Sequence, residues 1–337
     1  GNSFKNINIK KIKKIKIKIK YCGDRPNSSC QQVSDSISKF SNFFKRYKPN
    51  LLIVLGDRLE ILGVSLAASV HKIPIAHLNG GEVTAGAMDD WARHAITKMS
   101  SIHFVANKIY ERRVIQLGEK PCSVYNVGGL SADNVKKTRL LKKDFLEKIC
   151  KIKFEKQNFL ITYHPETLEI KKTKKLFNQI LKALKKFKEV GIFFTAPNID
   201  QNHLEIFELI KNFIKYKKNS YLVLNLGREK YLSLLKNCDV MIGNSSSGLL
   251  EAPYLNIPTI NVGDRQKGRV RSKSVFDVDY NEKNITRSIY KIINTRKKYT
   301  VRGKKAYGNG KSSEKIAKIL SKLNFKNIKL KKGFYDL

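Results

Sequence analysis

The stretch Ile242-Gly243-Asn244-Ser245-Ser246-Ser247-Gly248-Leu249-Leu250-Glu251 is the part of the sequence that indicates the fold most directly. The run 238–242 has the pattern of a buried strand, and a helical pattern opens after the serines. A strand, a loop of small residues and a helix start favour anion binding, because backbone N–H groups and the helix dipole attract negative charge there. The alternative is an ordinary serine N-cap without a ligand.

Side chains of this loop suggest what the anion belongs to. Ser245 and Ser246 add hydroxyl donors, and the glycines on either side let a ligand approach the backbone. Glu251 follows one helical turn later, where its carboxylate can accept hydrogen bonds from ribose hydroxyls. The stretch therefore predicts a ligand with a nucleoside and a sugar joined through phosphates.

Short apolar runs alternate with helical patterns on both sides of this stretch. Strands are predicted at 51–55, 73–78, 102–106, 124–127, 159–163, 191–195, 221–225, 239–242 and 258–262. Apolar strands separated by helices indicate parallel sheets covered on both faces, so the fold class is α/β with two doubly wound, Rossmann-like domains. We assign 1–157 to the first domain, 158–323 to the second and 324–337 to a tail, with the polar segment 136–157 as the linker region.

Composition limits the class of protein. The 337 residues with 41% hydrophobic content suit two domains, and no run approaches the ~18 apolar residues of a membrane span. No secretory leader is visible, and the five scattered cysteines match no metal-binding spacing, so we expect a cytoplasmic protein with reduced thiols that has no membrane partner. The net charge of +39 is spread along the chain as in a lysine-rich genome, and we predict no nucleic-acid partner. The Ile/Lys run 6–20 is interpreted as an edge strand, with a nucleic-acid tract as its alternative.

Acidic residues follow two strands of the first domain. Asp57 lies in Gly56-Asp57-Arg58 after one strand, and Glu82 lies in Gly80-Gly81-Glu82-Val83-Thr84 after the next. Ligands of open α/β sheets bind at the carboxyl ends of the strands, so both carboxylates are expected in one crevice. Paired carboxylates raise each other's pKa, which suits proton transfer. The alternative for Asp57 is a helix cap paired with Arg58.

Further candidates lie at other strand ends. Asp89 precedes a predicted helix and adds a third acid to the crevice, although a capping role beside Arg93 and His94 is the alternative. In the second domain, His164 ends a strand before a proline and can donate to a leaving phosphate. Arg265, after the strand 258–262, offers a guanidinium for phosphate oxygens. The sequence has no Walker lysine loop, no GxGxxG after a strand and no GxSxG elbow, which argues against an ATPase, a nicotinamide dehydrogenase and an α/β-hydrolase.

The chain resembles the hydrolysing UDP-N-acetylglucosamine 2-epimerases, which open the bacterial synthesis of sialic and other nonulosonic acids. The likeness extends from about residue 1 to about residue 323. The segments that carry it are Gly56-Asp57-Arg58, Gly80-Gly81-Glu82-Val83-Thr84, 89–98, 242–251 and Gly263-Asp264-Arg265-Gln266.

The resemblance implies a glycosyltransferase-B type fold, with the sugar against the first domain and the nucleotide on the second, across a cleft. It implies anti-elimination of UDP to 2-acetamidoglucal, followed by hydration to N-acetylmannosamine, without a cofactor or a metal. It also implies a homodimer or higher homo-oligomer. By position, it implies acid/base roles for Asp57 and Asp89, a place near the phosphates for His164, and nucleotide contacts for Asn198, Ser245, Ser246, Glu251 and Arg265.

Two departures from the family pattern are visible. Asn79 stands where many members have a catalytic glutamate, so Glu82 takes over that duty or the substrate differs. UDP- or GDP-linked 2,4-diacetamido-trideoxyhexoses are the alternative substrates. Members also carry a strand and a glycine–arginine loop before the segment that matches Gly1, and we expect their absence here to open strand edges. Non-catalytic nucleotide-sugar binding by a fragment and glycosyl transfer on the same fold are the remaining alternatives.

Overall fold

The computed structural model describes residues 12–20, 26–84, 90–165, 173–197, 203–224, 226–295 and 306–337. In these residues, two fully parallel sheets are flanked by helices. The strands are β1 Leu52–Leu55, β2 Ile75–Leu78, β3 Ile102–Val105, β4 Val124–Asn126, β5 Gln157–Thr162, β6 Val190–Thr195, β7 Ser220–Val223, β8 Val240–Gly243, β9 Thr259–Val262 and β10 Val275–Val278. The helices are α1 Pro26–Arg46, α2 Leu59–Val70, α3 Asp90–Met99, α4 Lys108–Gln116, α5 Leu130–Lys137, α6 Lys143–Cys150, α7 Thr173–Lys185, α8 His203–Tyr216, α9 Gly227–Lys236, α10 Ser247–Leu250, α11 Glu282–Thr295 and α12 Ser312–Leu320.

The first sheet has the order β1-β2-β3-β4, with every pair parallel. All four strands therefore end at one edge, which brings the segments after β1 and β2 side by side. Val54 of β1 packs with helices α1 and α2, whereas Ile53 and Leu55 on the other face are 49% and 54% exposed. Among the described residues β1 pairs only with β2, so it forms an open edge of this sheet.

The second sheet has the order β10-β9-β8-β5-β6-β7. The chain runs outward from β5 through β6 to β7, then returns to the other side of β5 with β8. Open α/β sheets bind ligands where the strand order reverses in this way. The reversal lies between β5 and β8. His164 follows the end of β5, and the serine loop, residues 243–248, begins at the end of β8.

The structure confirms the predicted α/β class and all nine predicted strands, within a few residues at their ends. Strand β10 escaped prediction because Asp277 interrupts its apolar pattern at the sheet edge. Helix α1 was not predicted, although Phe44 gives it a face that packs in the core with Val64 of α2, where Ser36 also lies close to Gly63. Within the predicted edge strand 6–20, the described residues 12–20 form no strand.

Packing differs from the predicted boundaries in two places. Helix α6 lies in the expected linker region, but Leu146 packs into a core of the second domain with Leu160 and Met241. Helix α12 was assigned to the second domain, yet Ile316 packs against the first sheet beside Leu78. An apolar stripe identifies a buried helix face but does not say which of two domains covers it.

The predicted tail folds against the first domain. Lys332 Nζ lies 2.8 Å from both carboxylate oxygens of Glu119, which is 2% exposed. Lys98 Nζ and His103 Nε2 also contact this carboxylate, at 2.8 and 3.0 Å. Burial raises the pKa of Glu119, but hydrogen bonds from His103, Lys332 and Lys98 outweigh it and lower that pKa to about 2.

We expect Lys332→Met to lower the free energy of unfolding by about 2 kcal/mol at pH 7, because it leaves a buried carboxylate with fewer donors. Lys331→Met, a change at the exposed neighbouring lysine, should stay within about 0.5 kcal/mol of wild type in the same urea titration. The folded-state pKa of Glu119 lies below its usual 4.5, so the stabilisation should be complete above that pH and disappear as the pH falls to about 2. Equal effects of the two substitutions would contradict this account of the tail.

Among the described residues, no helix is long and apolar enough to cross a bilayer. No group of three or more His, Cys, Asp or Glu side chains in the described ranges is arranged to hold a metal ion. The cysteines that the structure describes, Cys30, Cys122, Cys150 and Cys238, form no disulfide with one another.

Candidate active site

Asp57 lies at the carboxyl end of β1, where Gly56 turns the chain with a φ of +80°. Its carboxylate accepts a hydrogen bond from Arg93 Nη2 in α3, and Arg93 is 2% exposed. Arg58, the partner of Asp57 in the alternative interpretation, binds Glu60 Oε1 through its Nε at 2.5 Å. A buried guanidinium stabilises the ionised form of a neighbouring carboxyl group, so Asp57 is suited to accept a proton.

Arg93 binds a second part of the crevice. Its Nη2 lies 3.3 Å from Thr84 Oγ1, and the Thr84 N–H donates to Asp90 Oδ1 at 2.8 Å. Burial, aided by the charge of Arg269, lowers the pKa of Arg93 to about 10, which leaves it cationic at neutral pH. Helix α3 thus fixes the loop after β2 against Asp57.

His77 supports the turn below Asp57. Its Nε2 lies 2.8 Å from the Gly56 carbonyl, which can only accept, so this nitrogen carries a proton. Its Nδ1 lies 3.1 Å from Thr97 Oγ1 of α3. Complete burial lowers the pKa of His77 to about 4, so the ring is neutral and acts as a fixed strut.

Glu82 lies in the loop after β2 and is 4% exposed. Arg269 Nη2, from the second domain, approaches Glu82 Oε2 at 3.4 Å. Burial raises the pKa of Glu82, and the charge of Arg269 opposes that rise. The raised pKa was expected from a second carboxylate, but its largest cause is the removal of Glu82 from water.

Other predicted positions are placed as follows. Asn79 adopts a left-handed backbone conformation with a φ of +66°, and its N–H donates to the Phe104 carbonyl at 3.0 Å. Asp89 and Asn198 lie outside the described residues, so their roles stay predictions.

The serine loop is pressed onto its neighbouring strands. Gly243 has a φ of +138°, and a Cβ there would lie 2.1 Å from the Thr162 carbonyl oxygen of β5. A Cβ on Gly248 would lie 2.4 Å from Thr259 Cγ2 of β9. These glycines therefore allow close packing of the loop, and their predicted role in admitting a ligand stays a prediction. Helix α10 after the loop has only four residues.

Asn244 links the ends of β5 and β8, the two strands between which the strand order reverses. Its Oδ1 accepts from the His164 N–H and its Nδ2 donates to the His164 carbonyl, both at 2.8 Å. Its own carbonyl accepts from Arg265 Nη1 at 3.3 Å and Gln266 Nε2 at 2.8 Å. Burial, together with the charge of Arg265, lowers the pKa of His164 to about 3, so the imidazole is neutral at pH 7. His164, Ser245 and Arg265 are thereby gathered around one buried amide.

A hydrogen-bonded chain lines the adjoining cavity of about 360 Å³. Tyr231 donates to Ser247 Oγ at 2.6 Å, and Ser247 donates to Glu251 Oε2 at 2.5 Å. Burial raises the pKa values of both Tyr231 and Glu251. Ser245 lines the same cavity and accepts from the Ser247 N–H at 3.3 Å. Ser246 is half-buried, and its carbonyl accepts from Leu250 N–H within α10.

The two domains meet through a closed ring of hydrogen bonds beside Glu82. Val270 N–H donates to the Tyr110 hydroxyl at 3.1 Å, and the Tyr307 hydroxyl donates to the Val270 carbonyl at 3.0 Å. The hydroxyls of Tyr110 and Tyr307 are 3.0 Å apart, so Tyr110 donates to Tyr307 and closes the ring. Glu82 of the first domain and the turn after β9 thus lie in direct contact at the boundary between the domains.

Sequence reasoning missed several members of this site. Arg93 was named only beside the capping alternative for Asp89, since helical spacing does not reveal that its side chain is buried. Thr84, Tyr231 and Asn244 lie within or near motifs but carry no chemistry-specific pattern of their own. Asn244 alone had a signal, its place between a strand end and the serines.

Comparisons with known proteins agree with this architecture. A family model described as UDP-N-acetylglucosamine 2-epimerase matches residues 2–321. A GDP/UDP-N,N'-diacetylbacillosamine 2-epimerase (hydrolyzing) of Campylobacter jejuni is 44% identical over 270 residues, which cover 79% of this chain and 70% of that protein. The polysialic acid biosynthesis protein P7 of Escherichia coli is 42% identical over 261 residues, which cover 76% of this chain and 66% of that protein.

A solved structure shows the same fold. It is the UDP-GlcNAc 2-epimerase from Neisseria meningitidis bound to UDP-GlcNAc, with a TM-score of 0.77 and 21% sequence identity. The likeness covers 89% of this chain and 84% of that one. It places the two parallel sheets in the arrangement of these epimerases.

Proposed function

The chain belongs to the UDP-N-acetylglucosamine 2-epimerase family, and on that premise we propose that it is a hydrolysing 2-epimerase of a nucleotide-linked 2-acetamido sugar. One observation carries the proposal: two carboxylates in unlike environments lie where the turn after β9, which binds the serine loop, contacts the first domain. Asp57 is paired with a buried guanidinium, whereas Glu82 is buried with a raised pKa. A carboxylate paired with a cation and a carboxyl group with a raised pKa are suited to separate base and acid roles.

The preferred substrate we propose is a UDP- or GDP-linked 2,4-diacetamido-trideoxyhexose. The 44% identity to the diacetylbacillosamine enzyme of Campylobacter jejuni supports this choice. Asn79 agrees with it, since a neutral amide stands where a carboxylate was expected for UDP-N-acetylglucosamine. UDP-N-acetylglucosamine is the second candidate, supported by the description of the family model.

The first step of the proposed reaction is elimination. Asp57 takes the proton from C2 while the C1–O bond breaks, and the nucleoside diphosphate departs with that electron pair. A C1=C2 double bond remains in the sugar, and the Asp57 proton passes to solvent. Arg93 favours the ionised Asp57 that this step requires.

The second step is hydration of the double bond. Glu82 gives a proton to C2 on the opposite face, and water adds to C1 while its proton returns to Glu82. Protonation on the opposite face inverts the configuration at C2, and addition of water to C1 leaves a free sugar. Burial raises the pKa of Glu82, which favours the protonated form that a proton donor needs.

The second domain is proposed to hold the leaving group. His164 is neutral, so it donates a hydrogen bond to a phosphate oxygen without adding a charge. Arg265 supplies the positive charge, and Ser245 and Ser246 supply hydroxyl donors. Glu251 faces the 360 Å³ cavity, where its carboxylate suits ribose hydroxyls. A homodimer, Asn198 near the nucleoside and Asp89 as a third acid stay predictions.

A substrate panel tests the proposal. The chain is incubated separately with UDP-N-acetylglucosamine and with UDP- and GDP-linked 2,4-diacetamido-trideoxyhexoses, and the products are identified by NMR. We expect release of the nucleoside diphosphate and of a C2-inverted free sugar, with at least about tenfold higher kcat/KM for a diacetamido substrate, a difference of about 1.4 kcal/mol.

The other outcomes separate the alternatives. Higher kcat/KM for UDP-N-acetylglucosamine selects the second substrate. Binding by calorimetry without any product would support a non-catalytic nucleotide-sugar-binding protein and would overturn the enzymatic proposal. Turnover only with an added acceptor would indicate a glycosyltransferase.

A further inference from the structure

Arg269 is the side chain that reaches from the nucleotide domain into the acid crevice of the first domain. Its Nη2 lies 3.4 Å from Glu82 Oε2 and 3.2 Å from Thr84 Oγ1. Its side chain is 11% exposed, and Nε and Nη1 are buried without a hydrogen-bond partner among the described residues. A guanidinium held this deeply contacts the acid directly, because bulk water does not separate them.

The turn that carries Arg269 is also fixed to the serine loop. Arg269 N–H donates to the Gln266 carbonyl at 3.3 Å, and Gln266 Nε2 donates to the Asn244 carbonyl at 2.8 Å. The backbone has a φ of +85° at Gly268, where a Cβ would lie 2.8 Å from Val83 Cγ1 of the first domain. One short turn therefore connects the proposed phosphate loop with the loop of Glu82.

Resting on the proposed function, we propose that Arg269 is a positioning residue that orients the acid Glu82 from across the cleft. The guanidinium fixes the carboxyl group toward the sugar only while the nucleotide domain lies against the first domain. Proton delivery to C2 is thereby coupled to closure of the cleft around the nucleotide sugar. Bulk water, which would otherwise protonate C2 from either face, is excluded in the same movement.

Arg269 acts within a definite set of charges. Arg93 of α3 shares the Thr84 hydroxyl oxygen with it, and Asp57 and Asp90 are the carboxylates bound to Arg93. Tyr307 interacts electrostatically with Glu82 from the segment before α12. Among the described residues, two further neighbours are Arg113 of α4, which donates to the Gly81 carbonyl at 3.3 Å, and His94 beside Asp90. Of these cations, Arg269 is the one whose charge lowers the pKa of Glu82.

Removal of this charge should therefore change the titration of Glu82. A cation within about 4–6 Å typically lowers the pKa of a carboxyl group by one or more units. In Arg269→Gln the Glu82 pKa should rise by about one unit, and in Arg269→Lys the retained charge should keep most of the shift. A purely structural arginine would not produce this difference between glutamine and lysine.

The test measures Glu82 directly and then the reaction. Full-length protein labelled with ¹³C at glutamate carboxyl groups is titrated by NMR, with Glu82→Gln to assign the signal. We expect the midpoint to move up by about one unit in Arg269→Gln and to return toward wild type in Arg269→Lys. Arg287→Gln, the same change at an exposed arginine of the second domain, is the matched control and should leave the midpoint in place.

Kinetics give the second readout. In Arg269→Gln the alkaline limb of the pH–kcat profile should move up with the Glu82 midpoint, kcat at pH 7 should fall about tenfold, and KM should stay within about twofold. An unmoved Glu82 midpoint would overturn the proposal, as would a raised KM with the pH profile unchanged, which would make Arg269 a substrate-binding group. The titration needs no turnover, so a wild-type chain without activity would refute the proposed function separately.

Discussion

Asp57→Asn should reduce release of the nucleoside diphosphate about 10³-fold, because an amide cannot accept the C2 proton that elimination removes. The size of the effect follows from geometry as well as chemistry. Asp57 ends β1 on a turn supported by His77, and its carboxylate is fixed by buried Arg93. Asparagine keeps the shape of the side chain and loses its basicity. The measurement is kcat from a coupled assay for the released diphosphate.

Two controls separate chemistry from folding in this variant. Glu60→Gln removes a carboxylate that pairs with the exposed Arg58 one turn away, and it should keep full turnover. UDP binding by calorimetry should be unchanged in Asp57→Asn, since the serine loop belongs to the other domain. Full turnover in Asp57→Asn would remove that residue from the mechanism.

Glu82→Gln should divide the reaction into its two steps. Glutamine cannot give a proton to C2, so formation of the free sugar should fall about 10³-fold. Elimination depends on Asp57, so diphosphate release should fall much less, within about tenfold of wild type. The unsaturated sugar should accumulate in proportion to the diphosphate, which NMR detects through its vinylic C1 proton.

The comparison that decides this prediction is the ratio of free sugar to diphosphate. Wild type should give equal amounts, whereas Glu82→Gln should give almost no free sugar. If diphosphate and free sugar fall together and no unsaturated sugar appears, Glu82 acts in the elimination and the assignment of acid and base is reversed.

The strands and their order along the chain were predictable because parallel strands covered on both faces are short, apolar and separated by helices. The apolar pattern could not show which elements of the fold contact each other. Helix α12 has an apolar face that fits either domain, and only the fold shows Ile316 against the first sheet. Glu119 and Lys332 are separated by more than 200 positions in the chain, so their contact in the core has no local signal.

In the candidate site, too, the sequence identified individual residues but not their distant partners. Motif position placed Asp57, Glu82, His164 and Ser245 at strand ends, where ligands of α/β sheets bind. It did not identify Arg93 as the partner of Asp57 or Arg269 as the partner of Glu82, because buried ion pairs between distant segments depend on the packing of α3 and of the two domains. Motif position also did not reveal the close contact of Gly243 with Thr162, because that contact depends on the packing of β8 against β5.

The central claim is that carboxylates of one domain exchange protons at C2 while the other domain releases the diphosphate from C1. Turnover of the preferred nucleotide sugar in D₂O tests it most directly, with the free sugar analysed by NMR and mass spectrometry. The account predicts one deuterium at C2 of every inverted sugar molecule and none elsewhere on carbon. Free sugar with its original hydrogen and configuration at C2 would contradict it, because simple hydrolysis of the C1–O bond would then be the reaction.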